Sequence, residues 1–189
     1  MSVRSKAMLS KALLSLMMRR PFDDITISDI AAEAGLARQT FYTNFSKKED
    51  VLVYLLSEFF RRYHTQVLAS PEFPENIIVH YFIFWNDQRD FLRLLFEHNL
   101  GYLFCEQNRR FFTEDLSAFE KHFSAEPWLL PFSLAGLAGM TFELLYMWIV
   151  AGKGLDISIL HTLADNFISG RIFSALEQEL PPLSNAVNT

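Results

Sequence analysis

Seven residues from Arg38 to Asn44, read Arg-Gln-Thr-Phe-Tyr-Thr-Asn, carry the chemistry of the chain. On a helix, Phe41 and the following Phe45 anchor one face. Arg38, Gln39, Thr40, Tyr42, Thr43 and Asn44 face away from them. Every one of these can donate a hydrogen bond and none is acidic. Base edges and phosphates present mostly acceptors, so such a helix is suited to lie in a DNA major groove. Ser46-Lys47-Lys48-Glu49 follows with the spacing of a capping box. It opens a further helix whose unbonded N–H groups, with Lys47 and Lys48, could hold a phosphate.

A reading helix needs a support. Thr26 and Asp29 make a capping-box-like start, with Asp in place of Glu or Gln, for a short helix that buries Ile27, Ile30, Ala31 and Ala34. Gly35 stands where the chain must turn sharply, a position that favours the left-handed backbone glycine adopts cheaply. Small Ala31 lets the two helices cross closely. Two short helices joined by a glycine turn form a helix-turn-helix pattern. Before them, the apolar positions 8, 9, 12, 13, 16 and 17 follow helical spacing, so the acid-free first twenty residues read as an amphipathic helix rather than a targeting segment.

Thr26 through Val51, with Phe22 and Ile25 before them, closely resembles the TetR family of one-component transcriptional regulators. The resemblance covers roughly the first quarter of the chain. It implies an all-α protein with a three-helix DNA-binding head and a larger helical body that dimerises and binds a small molecule. It implies that Thr40, Tyr42 and Lys48 touch phosphates, while Arg38, Gln39, Thr43 and Asn44 face the groove. Thr26, Ser28 and Lys47 complete the expected DNA-binding set. The chain departs from the family pattern at Ala37, where a capping Ser is common, at Gln39, where a small residue is usual, and at Asn44, where His is frequent. Losing the cap costs about 1 kcal/mol.

The 189 residues carry 50% hydrophobic and 21% charged side chains and a net charge of −5. That balance excludes a disordered tail. The charge is divided: +2 over residues 1–50 and −7 over the rest, a slightly basic head on an acidic body. Cys105 stands alone, which excludes a disulfide framework and a multi-thiolate zinc site. The five histidines form no metal-binding pair, and there is neither a nucleophile elbow nor a glycine-rich phosphate loop, so no enzyme, metal or cofactor is expected.

Helical spacing predicts helices near 4–19, 27–34, 38–44, 47–68, 75–86, 89–98, 102–123, 129–151 and 157–178. The expected division is a head over 1–47, a dimerisation and ligand-binding body over 48–180, and a polar tail over 181–189. Between Trp128 and Gly152 the only charge is Glu143. That length could cross a bilayer, but a central carboxylate favours a buried helix in a protein without a membrane anchor. Glu143 then needs a structural partner, such as Arg89, Arg93 or a tyrosine, or serves as the polar anchor of a ligand. The expected cavity is elongated and lined by some of Phe82, Trp85, Phe104, Phe142, Tyr146 and Trp148. Small Ala135, Gly136, Ala138 and Gly139 on one helix, and the stripe Leu160, Leu163, Phe167 on the last, predict a homodimeric four-helix interface. The whole reads as a cytoplasmic, nucleoid-associated repressor that binds a palindromic operator as a dimer and is released by a small molecule. The alternatives are a regulator of the same fold controlled by a protein co-activator or by no effector, and a membrane-anchored protein.

Overall fold

A computed structural model describes residues 3–69, 77–115, 130–151 and 156–168. Among the described residues the chain is all-α. It runs α1 (Val3–Met17), a 3₁₀ turn (Phe22–Asp24), α2 (Ile27–Glu33), α3 (Arg38–Asn44), α4 (Lys48–Ala69), α5 (Ile77–Asp87), α6 (Arg89–Glu97), α7 (Gly101–Arg110), a π-helical turn (Phe111–Asp115), α8 (Leu130–Val150) and α9 (Ile157–Ile168). The polar tail, the end of the last predicted helix and the Phe167 side chain lie outside the described residues.

Helix α1 buries Leu9, Ala12, Leu13, Leu16 and Met17, the one-sided spacing of an amphipathic helix. Against that stripe pack α2, α3 and the start of α4, with Phe22, Ile25, Ile30, Phe41, Phe45, Val51 and Leu52 closing the head core. Helix α4 continues without a break and buries Leu56, Phe60 and Tyr63 in the body. One hydrophobic cluster therefore spans head and body.

The predicted helix over 102–123 gives way at Arg110 to the π turn. The wider turn brings the consecutive Phe111 and Phe112 both into the core. The body core is aromatic. Phe60 stacks on Phe104 and Phe111 at centroid distances of 5.9 and 5.2 Å, and Trp85 meets Phe104 edge-on at 4.7 Å. Beside these rings lies a fully buried polar network. The Tyr81 hydroxyl donates to Asn108 Oδ1, and Asn108 Nδ2 donates to the Ala138 carbonyl at 2.8 Å and to Thr141 Oγ1 at 3.2 Å. It ties α5, α7 and α8 together. Burial pushes the Tyr81 phenol up, so it stays a donor.

Among the described residues most of the expected lining is closed on itself, and a cleft opens beside Tyr146, lined by Arg89, Arg93, Phe96, Glu97, Ile149 and Val150. Phe82, Trp85, Phe104 and Trp148 are buried against their neighbours, and Phe142 lies between Phe104 and Tyr146. Glu143 is not buried either: it is exposed, and it makes no ion pair among the described residues. Arg89, one expected partner, has its guanidinium 4.2 Å from the Trp148 ring centroid instead. The reason is the way α8 divides. Leu134, Ala138, Thr141, Leu145, Trp148 and Ile149 pack inward, while Phe132, Ala135, Gly136, Gly139, Glu143, Met147 and Val150 face outward. Leu160, expected at a dimer interface, is buried within its own chain; Leu163 is half-buried.

Candidate nucleic-acid interface

Helix α2 begins with both bonds of a capping box. Thr26 Oγ1 accepts from the Asp29 N–H at 3.1 Å, and Asp29 Oδ2 accepts from the Thr26 N–H at 2.9 Å. The Thr26 hydroxyl also donates to Asp29. These bonds and Arg20, 2.9 Å away, hold the Asp29 carboxyl below its usual range. Their contribution is complete above the unfolded value and fades as pH falls through the lower folded one. Arg19 and Ser15 bind Glu33 at 2.6 and 2.9 Å, so both ends of α2 are fastened to the end of α1 and the residues just after it. Thr26 is thus taken up by the cap, while Ser28 is exposed beside it.

The turn into α3 is a Schellman motif. Gly35, at φ +65°, donates to Ala32, and Leu36 donates to Ala31 at 2.9 Å. A Cβ at Gly35 would meet nothing within 4 Å, so the requirement is one of backbone conformation alone. Gly35→Ala is therefore expected to cost about 1–2 kcal/mol. Thermal unfolding would read this as a melting temperature lower by roughly 2–8 °C.

Helix α3 begins at Ala37 without a side-chain cap. Phe41 and Phe45 hold it on the core. Arg38, Gln39, Tyr42 and Thr43 are exposed along its outer face, and Thr40 and Asn44 are half-buried. Arg38 Nη2 donates to the Tyr42 hydroxyl at 3.0 Å, which leaves the phenolic proton to donate outward. Gln39 keeps its whole amide. Thr43 donates to the Gln39 carbonyl and Asn44 to the Thr40 carbonyl, so both hydroxyl and amide are turned back on the helix.

The start of α4 is capped in a different register, and by only one half of a capping box. Asp50, not Glu49, reaches back to accept from the N–H groups of Ser46 and Lys47 at 2.9 and 3.0 Å. Helix α4 starts at Lys48, which makes Asp50 its third residue, the position that closes such a box. A carboxylate thus occupies the Lys47 N–H, one of the groups predicted for a phosphate. Lys48 also differs from expectation. Its ammonium donates to the carbonyls of Phe22, Asp23 and Ile25 at 2.6, 3.2 and 3.1 Å and lies 4.3 Å from the Phe22 ring centroid. All three donors of the lysine are occupied within the head. Lys47 remains exposed.

This arrangement is a three-helix head with a donor-rich, acid-free outer helix. Residues 9–55 match the family described as bacterial regulatory proteins, tetR family. Residues 9–55 belong to the TetR family. The TetR-type head and the helical body also recur together in solved structures. The dihydroxyacetone kinase operon activator DhaS is 20% identical, with a TM-score of 0.58 over 90% of this chain and 97% of that one. A tetR-family transcriptional regulator from Streptomyces coelicolor is 18% identical, with a TM-score of 0.59 over 95% and 86%. Thermus thermophilus FadR, a TetR-family repressor in complex with lauroyl-CoA, is 20% identical, with a TM-score of 0.58 over 97% and 100%. At these identities the likeness is one of fold. No curated protein matches the chain.

Proposed function

We propose that this protein is a sequence-specific DNA-binding transcriptional regulator that acts in the cytoplasm, at the nucleoid, as a homodimer on a palindromic operator. The outer face of α3 carries the reading: Arg38, Gln39 and Tyr42 stand exposed on it with no acid among them. Two such helices about one turn of DNA apart match a palindrome of that spacing or a small multiple. The outward face of α8 supports the dimer. Phe132 is 71% and Met147 56% exposed, and Gly136 and Gly139 between them have no neighbour within 4 Å of a Cβ, so a second copy could approach closely. The same helix is long and apolar enough to cross a bilayer. Its inward face, however, is committed to α6, α7 and α9 and to the Asn108 network.

The test is selection of duplexes from a random pool, followed by affinity measurements at 50 and 200 mM salt. A dimer that neutralises 6–10 phosphates is expected to lose about 10³–10⁵ in affinity over that range. Salt-independent binding would exclude a nucleic-acid function. Sedimentation at micromolar concentration should show a dimer, and a monomer would end the palindrome reading.

Control by a small molecule would make it a repressor released through differential affinity for two head spacings. The packed aromatic core favours a second reading, in which a protein partner, or no effector, sets that spacing. Lauroyl-CoA, the ligand of the FadR structure, gives a direct trial. A ligand at 100 times its Kd raises stability by about 2.7 kcal/mol. An unmoved melting temperature across acyl-CoAs and other apolar anions would support the second reading.

A further inference from the structure

The corner between α6 and α7 is hydrogen-bonded to the head through the side chain of His98. Its Nδ1 accepts from the Phe22 N–H at 3.1 Å, and its Nε2 lies 2.9 Å from the Met17 carbonyl oxygen. These partners fix the tautomer. An amide N–H can only donate, so Nδ1 is bare and the ring proton sits on Nε2, where it donates to Met17.

Among the described residues neither head group has another hydrogen-bond partner, for a reason visible in the sequence. The Met17 carbonyl lies in the last turn of α1, and the residue four positions on, which would donate to it, is Pro21. Proline has no N–H. The Phe22 N–H opens the 3₁₀ turn, where no preceding carbonyl is in place for it. One imidazole of the body thus closes both gaps in the connection between α1 and α2. From the other side, Lys48 binds the Phe22 carbonyl, so both polar groups of Phe22 are held by side chains.

The ring is also held firmly at its own end. Asn99 takes φ 59° and closes a Schellman motif, with Asn99 donating to Phe96 at 3.1 Å and Leu100 to Leu95 at 2.8 Å. Immediately after, a Cβ at Gly101 would stand 2.9 Å from the Phe96 ring, so α7 begins hard against α6. A shift of this corner is therefore transmitted to the segment that carries α2 and α3.

We propose that His98 is a positioning residue that sets the orientation of the DNA-binding head on the body, and through it the half-site spacing the dimer accepts. The inference rests on the operator-binding reading above. It is tested with duplexes selected by the wild-type protein: the full palindrome, the palindrome with one or two base pairs added or removed at its centre, and a single half-site. His98→Leu removes both bonds. His98→Asn keeps an acceptor near the Nδ1 position, and His98→Gln keeps a donor able to reach Met17.

His98→Leu is expected to weaken full-palindrome binding about tenfold, a typical coupling magnitude, and to flatten the spacing preference. Half-site affinity should stay unchanged, and the amide variants should fall between. A spacing profile equal to that of the wild type, or equal losses on half-site and palindrome, overturns the proposal. Should His98→Leu not fold, wild-type profiles from both amide variants overturn it equally. A second readout needs no DNA. Amide exchange at Phe22 should be slow in the wild type and at least tenfold faster in His98→Leu, and exchange in the wild type as fast as at Asp23 would refute the contact. A wild-type protein that binds no duplex fails the operator reading, while the exchange measurement still decides whether His98 holds the head.

Discussion

Asn108→Asp is expected to destabilise the body by roughly 3–5 kcal/mol, the magnitude of an uncompensated buried charge. The wild-type amide matches three partners at once: its oxygen accepts from Tyr81, and its nitrogen donates to Ala138 and Thr141. Aspartate keeps the first bond but sets a second oxygen against the Ala138 carbonyl, where two acceptors face each other. No cation lies within this network to compensate the charge. The loss is a large part of a stability that is typically 5–15 kcal/mol. Burial would raise the folded pKa of the new carboxyl above its unfolded value. The penalty should then shrink as pH falls through that raised value, because the neutral acid has a proton to give to Ala138. Tyr81→Phe, which leaves the buried Asn108 Oδ1 without its donor, should cost about 1–3 kcal/mol. Urea unfolding at pH 5 and pH 8 measures all of this. A loss for Asn108→Asp no greater than that for Tyr81→Phe would show that the network does not lock the three helices.

Gln39→Ala should have the largest effect on DNA. Its amide is the one exposed group on α3 with both a donor and an acceptor uncommitted, and that pair matches adenine N7 and N6. One such contact is worth about 1–3 kcal/mol. A dimer makes it twice, so the selected palindrome should lose about 2–6 kcal/mol, or roughly 30-fold to more than 10⁴-fold in affinity. A scrambled duplex at the same salt should lose little, and one position in each half-site should relax. Equal loss on both duplexes would assign Gln39 to the phosphates.

The head was largely legible in the sequence because its signals are local. Thr26 and Asp29, Gly35 and the faces of α3 lie within a few residues of the groups they satisfy. Where the partner is remote, local reading failed. Nothing near Lys48 shows that the carbonyls of Phe22, Asp23 and Ile25 wait for its ammonium. Nothing near His98 shows the link to Met17 and Phe22. The Asp50 cap was missed by one residue, since Ser46 and Glu49 offer the same spacing as Lys47 and Asp50. Helix α8 misled for a different reason. It is apolar almost all round, so periodicity assigns it no inner face, and a carboxylate on it looks buried whichever way it turns. The fold turned Glu143 outward with Gly139 and Met147. The sequence offers large aromatic residues without showing which of them meet: Trp85, Phe104 and Phe142 pack against one another, while Tyr146 borders a cleft with Arg89 and Arg93.

The unbroken passage of α4 from head to body has a mechanical consequence. Its 22 residues make a rod about 33 Å long at about 1.5 Å per residue. With no flexible joint along it, a tilt at the body end appears as a displacement at the DNA end, magnified by that length. A tilt of about 6° moves the tip by about 3.4 Å, the rise of one base pair. Two copies tilting in opposite senses double the change in separation. In the dimer proposed above, a small adjustment of the body core would thereby change the separation of the two α3 helices by about one base-pair rise.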